Sequence, residues 1–277
     1  MKGLALRLLA LGLVLGLLPY GCKKKATEPE ETDEDALRTL VSESDWFDTE
    51  SHFGEEDTSG EGSLSPITPV FWWRELTLPV ERTVTIEVVG DSAFVTVVAD
   101  VAGYFNIIVD SEPDTVVHKV LGDTVRRYAI FKRYAEETQH RGWRLYKVSG
   151  AESVSDVNTV EIDSVHLLST SYDTMLTDPL ALFLVEDALT FGLGEECSLT
   201  VYAGDPSALV FLHTFRLLRH RRWRFHNDGG GVYSGVWFAP LRAGIHHAAL
   251  DMIQHETLLD DTYPYDSNCW LMPYKVE

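Results

Sequence analysis

The chain predicts an α+β domain, one helix packed on an antiparallel meander, followed by an all-β sandwich. A single amphipathic stretch at Ala36–Val41 precedes a long series of period-two alternations, and beyond residue 157 short apolar runs recur between Gly and Pro punctuation. A third observation separates the two patterns. Ser149 to Val157 is small, polar and poor in large apolar residues, the composition of a domain boundary. The expected domains are 36–152 and 157–277. With 45% hydrophobic and 11% aromatic residues the chain is globular, and a net charge of −20 repels phosphate backbones, so nucleic acid is not an expected partner.

Ahead of these domains lies an address. Lys2 and Arg7 precede an apolar run from Leu8 to Leu18, then Gly21-Cys22 and Lys23 to Lys25. The run has the length of a signal-peptide core and is too short for a helix across a hydrocarbon core of about 30 Å, which takes about 20 residues. Residues 1–21 resemble a bacterial lipoprotein signal, which implies cleavage before Cys22, lipidation of Cys22 and a membrane anchor on the periplasmic or outer face of the envelope. Gly21 and Cys22 fit that pattern; Pro19 and Tyr20 stand where it has Leu and a small residue. An ordinary secretory signal cut nearby is the other reading. In an exported chain Cys197 and Cys269 are then an even pair that an oxidising compartment would let bridge; two buried free thiols are the alternative.

Between Glu28 and Glu61 there are 14 acidic residues against the single Arg38. Residues 22–35 read as an acidic tether. A short helix should follow: Ala36, Leu37, Leu40 and Val41 share a face, Asp33 to Asp35 suit a helix N-terminus, and Trp46 and Phe47 can close the apolar side. Gly54 to Pro69 reads as loop. Strands are expected at Arg82 to Val89, Ala93 to Val101 and Tyr104 to Val109, with turns at Gly90-Asp91 and Gly103; another turn begins at Asp123, and Val125 to Ala135 pairs with Gly142 to Val148 as a hairpin. The helix, "GDSAFVTVVADVAGYFNIIV", "RRYAIFKRY" and "RGWRLYKVSG" resemble the cone-shaped fold of the nuclear transport factor 2 superfamily, which has both small enzymes and binding modules as members.

The second half reads as strands at Thr159 to Leu168, Ala181 to Phe183, Cys197 to Tyr202, Leu209 to Leu217, Trp223 to Phe225, Tyr233 to Phe238, Gly244 to Ile253 and Trp270 to Val276. "NDGGGVYSGVWF" and "AGIHHAALDMI" resemble immunoglobulin-like domains of bacterial surface proteins, and Cys197, Trp223 and Cys269 follow a Cys, Trp, Cys order. Ser267 stands where the tyrosine corner of that fold would put Tyr.

Chemistry is sparse. His246 and His247 adjoin on a strand and point to opposite faces, and with His255 they lack metal-ligand spacing, so no metal is expected. Asp48, His52, Asp100, His118 and Arg127 are the polar residues that could reach a cone pocket. No nucleophile elbow, phosphate loop or H-E-x-x-H helix occurs, and no catalytic residue or cofactor is assigned. The better lead is a basic run. Arg216, Arg219, Arg221, Arg222 and Arg224 are five of seven Lys or Arg residues in 153–277, and alternation sends Trp223 and Phe225 inward with Arg222, Arg224 and His226 outward. This patch suits an anionic envelope polymer, a partner protein or the chain's own acidic stretch. The functional expectation is a lipid-anchored envelope binding or scaffold module without catalysis; the alternative is a small-molecule hydrolase or isomerase using the cone pocket.

Overall fold

The structure, a computed structural model, describes residues 31–48, 67–110, 115–135, 139–216 and 219–277; of 215, 216 and 219–221 it describes the backbone alone. The export signal, Cys22 and His52 lie outside the described residues.

The described body begins at α1 (Asp33–Glu43), whose first turn carries Asp33, Glu34 and Asp35 where free N–H groups favour negative charge, and whose Ala36, Leu37 and Val41 face inward. A 3-10 turn at Asp45–Phe47 then buries Trp46 and Phe47, the latter stacked on Phe131. Asp33 pairs with Arg133 and Arg141, so the start of the helix is pinned to the sheet beneath. The helix and its aromatic closure lie where the sequence puts them.

Five strands come next: β1 (Pro69–Leu76), β2 (Glu81–Val89), β3 (Ser92–Val109), β4 (Thr115–Arg133) and β5 (Trp143–Ser155). The first of these falls in a stretch where no strand is expected. β3 pairs with β4 along its whole length on one edge, and on the other with β2 at Ser92–Asp100 and β1 at Gly103–Val109. Gly103 therefore is not a turn. It sits mid-strand because a Cβ there would lie 2.0 Å from the Glu75 carbonyl oxygen of β1. Asp123, likewise expected at a turn, continues β4. The hairpin of β4 with β5 forms as expected, Arg133 opposite Trp143.

The later elements are β6 (Ile162–Ser169), β7 (Asp173–Leu176), β8 (Phe183–Leu184), β9 (Thr190–Phe191), β10 (Glu196–Ala203), β11 (Leu209–Arg216), β12 (Arg219–Arg224), β13 (His226–Gly229), β14 (Val232–Phe238), β15 (Gly244–Ile253), α2 (His255–Leu259) and β16 (Ser267–Val276). Among the described residues these make two sheets. An eleven-stranded sheet runs β1-β3-β4-β5-β16-β15-β11-β12 with β2, β8 and β9 attached, and a five-stranded sheet runs β13-β14-β10-β6-β7. The body is β-rich α+β with a few short helices, none among the described residues long and apolar enough to cross a membrane.

Three apolar cores follow from strand alternation. Even-numbered residues of β16, Trp270, Met272 and Tyr274, meet Leu199 and Val201 of β10 and Tyr233 and Trp237 of β14, so the small sheet packs on one face of β11, β15 and β16. The odd residues Cys269 and Leu271 enter a second core with Phe105, Leu121, Phe211 and Leu258 on the opposite face. A third core lies under α1, against Val95, Phe131 and Val148. The large sheet curls until its end strands meet: the Trp72 carbonyl of β1 accepts from Arg222 Nη1 of β12 at 3.1 Å, and Trp72 packs edge-on against Phe211.

The boundary expected at Ser149–Val157 lies mostly within β5, where Ala151–Val154 pair with β16. Asp33–Glu277 is accordingly one compact unit. Residues there are small because the backbone is crowded: a Cβ on Gly150 would lie 2.6 Å from the Leu271 oxygen and 2.7 Å from that of Pro179. Cys197 and Cys269 are buried free thiols, one in each of two cores separated by the large sheet. Period-two geometry points them away from each other.

Candidate functional site

Three places gather polar or vacant structure. The first is a buried network inside the curl of the large sheet. Arg74 follows Trp72 on the inward face of β1, and its Nη1 and Nη2 donate to Asp251 of β15 at 2.7 and 3.0 Å, while Nε donates to Tyr265 Oη at 3.0 Å. Asp251 also accepts from Ser267 Oγ at 2.9 Å and lies 3.0 Å from His213 Nε2 of β11. Tyr265 Oη in turn donates to Asp123 Oδ2 at 3.1 Å. Burial works against the Arg74 charge, but the Asp251 carboxylate more than offsets it and keeps the guanidinium protonated. Burial holds His213 down to about 4, so this histidine is neutral at pH 7. Closed on all sides by Trp72, Phe105 and Tyr265 rings, 5.4 to 5.7 Å from the Arg74 guanidinium, the network ties β1, β4, β11 and β15 together.

The second is the space under the Trp46–Phe47 turn. Arg127 of β4 donates through Nη1 to the Trp46 carbonyl and stands 6.0 Å from the Phe47 ring. His247 of β15 is buried beside it. Of the four described residues among those expected near a cone pocket, only Arg127 is turned deep into this core. Asp48 is exposed at its margin, Asp100 is exposed and accepts from Thr124, and His118 lies on the outer face of the sheet, 2.5 Å from Asn106 Oδ1.

The third is a cavity of about 270 Å³ between β16 and the crossover from β7 to β9. Leu176, Leu182, Phe183, Leu189, Trp270 and Met272 line it, with the exposed carboxylates of Asp178 and Asp187. Trp270 Nε1 is buried and has no hydrogen-bond partner. No protein-family model, curated protein or solved structure matches this chain.

The basic hairpin forms as β11 and β12, with Arg216 opposite Arg219. Arg224 is exposed, but Arg222 is not turned to solvent: its guanidinium lies 3.6 Å over the Trp72 ring. The expectation of an outward Arg222 is corrected because the face opposite Trp223 is also covered, by β1. Side chains of Arg216, Arg219 and Arg221 lie outside the description. Two clues in the sequence point to the polar residues it left unassigned. Asp251 is the one charge within the apolar stretch Ala248–Ile253, and Arg74 alternates with Trp72 on β1.

Proposed function

We propose that this chain is an exported protein, anchored through lipid on Cys22, that binds a small apolar ligand and performs no reaction on it. The reading is carried by the cavity beside Trp270, whose walls are mainly apolar side chains with Asp178 and Asp187 as the charged members of the lining, the composition of a binding pocket. The position of α1 on the sheet supports the cone-like reading of the first half, and the two packed sheet faces support the sandwich reading of the second. With Arg222 committed to Trp72, the cavity is a better ligand site than the basic hairpin.

A neutral fluorescent probe, N-phenyl-1-naphthylamine, tests the proposal on the mature chain. Saturable binding to folded protein is expected, abolished by Ala181→Trp, which fills the cavity, without change in the circular dichroism spectrum. Binding that is unsaturable, or equal in the variant, overturns it. Intact mass of the native protein tests the anchor: an N-terminus other than Cys22, or no acyl mass, removes it.

A further inference from the structure

We infer that Arg127 and His247 form a binding site for a small oxyanion, a carboxylate or phosphate, beneath the Trp46–Phe47 turn. The inference concerns a different place from the apolar cavity and stands or falls without it. Strand alternation commits Arg127 to the core: it shares the inward face of β4 with Val125, Ala129 and Phe131. Only 2% of it is exposed. One side of its guanidinium is fixed by the Trp46 carbonyl on Nη1, while Nε and Nη2 are buried and have no partner.

Those two nitrogens are the side-on edge of the guanidinium. They present parallel N–H bonds at the spacing of two oxygens of a carboxylate or phosphate, which is why arginine takes such groups bidentately. The edge is held in place by the Nη1 bond and has no hydrogen-bond partner. His247 of β15 is buried beside the turn and within electrostatic reach of Arg127; the Trp46 backbone favours its protonated form, and its Nε2 has no partner within hydrogen-bond distance. Arg82 adds charge from the surface: the register Arg82–Ala99–Val125 adjoins Val84–Val97–Arg127 on the same face, and Arg82 is exposed.

The energetics ask for an anion. A buried cation without a counter-ion costs several kcal/mol, and each buried unmade hydrogen bond about 1–3 kcal/mol more. Burial, with Arg82, holds Arg127 down to about 9, and burial, with the Arg127 charge, holds His247 down to about 3. Asp48, exposed at the margin, pulls Arg127 the other way without overcoming burial. A single oxyanion would satisfy both guanidinium nitrogens, whereas an apolar or cationic ligand would satisfy neither.

Isothermal titration of the mature chain with inorganic phosphate, and separately with acetate, at fixed ionic strength reads the site directly. Saturable binding of at least one is expected, with a matching rise in Tm, and the tighter of the two identifies the ligand as phosphate-like or carboxylate-like. R127K keeps the charge but loses the side-on edge, so it should bind about tenfold or more weakly. R127M should abolish binding and, freed of an unpaired charge, melt no lower than the parent in anion-free buffer. H247Q should weaken binding severalfold. Absence of saturable binding of both anions, or binding that is unchanged in R127K and H247Q, overturns the site. A parent Tm indifferent to both anions with R127M much less stable would reduce Arg127 to a prop for the Trp46 carbonyl.

Discussion

Arg74 and Asp251 pose the sharpest residue-scale question, because a charge pair with both side chains almost fully buried is strong only while both partners remain. Asp251→Ala leaves the Arg74 guanidinium in the core without its carboxylate and should cost about 3–5 kcal/mol in urea denaturation. Replacing both, as Arg74→Met with Asp251→Leu, should recover most of that loss. His213 gives the same network a pH signature. Its folded pKa, about 4, lies below the ordinary value of 6.5, so the unfolded chain binds more protons between the two. Its contribution is present above pH 6.5 and is lost as pH falls toward 4, with a slope of up to about 1.4 kcal/mol per pH unit. Equilibrium unfolding from pH 7 to pH 4 should show that slope, and His213→Gln should remove it.

At the scale of elements, glycines decide where strands can approach. Alanine at Gly103 would drive a Cβ into the Glu75 carbonyl, and the displacement of β1 should cost about 1–3 kcal/mol, measured as a fall in the urea midpoint. The same glycine shows what the sequence could and could not convey. Alternation made β2, the flanks of β3, the β4–β5 hairpin and most later strands legible, since one face of each is buried and its period is two. Gly103 read as a turn because a glycine needed for a bend and one needed for a neighbouring backbone look alike in one dimension. Arg127 stood in the sequence only as one of five polar residues able to reach a cone pocket, with no spacing that set it apart from the others. His247 was not legible: the turn it is buried beside, at Trp46, is 201 positions away, and no local pattern announces that meeting. Arg222 was misread for a related reason, as alternation says which residues share a face and not whether that face is covered.

For the whole molecule the consequential fact is that one sheet serves both halves. Fragments 36–152 and 157–277 should each fail to give a cooperative thermal transition when made alone, because the first loses β16 beside β5 and the second loses the walls contributed by Phe105 and Leu121. Mixing them should restore ordered structure, seen as dispersed amide resonances. Two independent transitions in the separated fragments would instead favour self-sufficient domains.

β16 is also the latest strand to be synthesised of all those it joins. It lies between β5 and β15, reaches back across more than a hundred residues to Ala151–Val154, and is buried on both faces over most of its length. A growing chain can make the β3–β4–β5 meander early, but the seam between the cores stays open until residues 267–276 arrive. Closure of the two cores thereby waits for β16. Long sequence separation slows such pairing, so the apolar faces that β16 covers stay exposed longest and are where a half-folded chain is most open to aggregation.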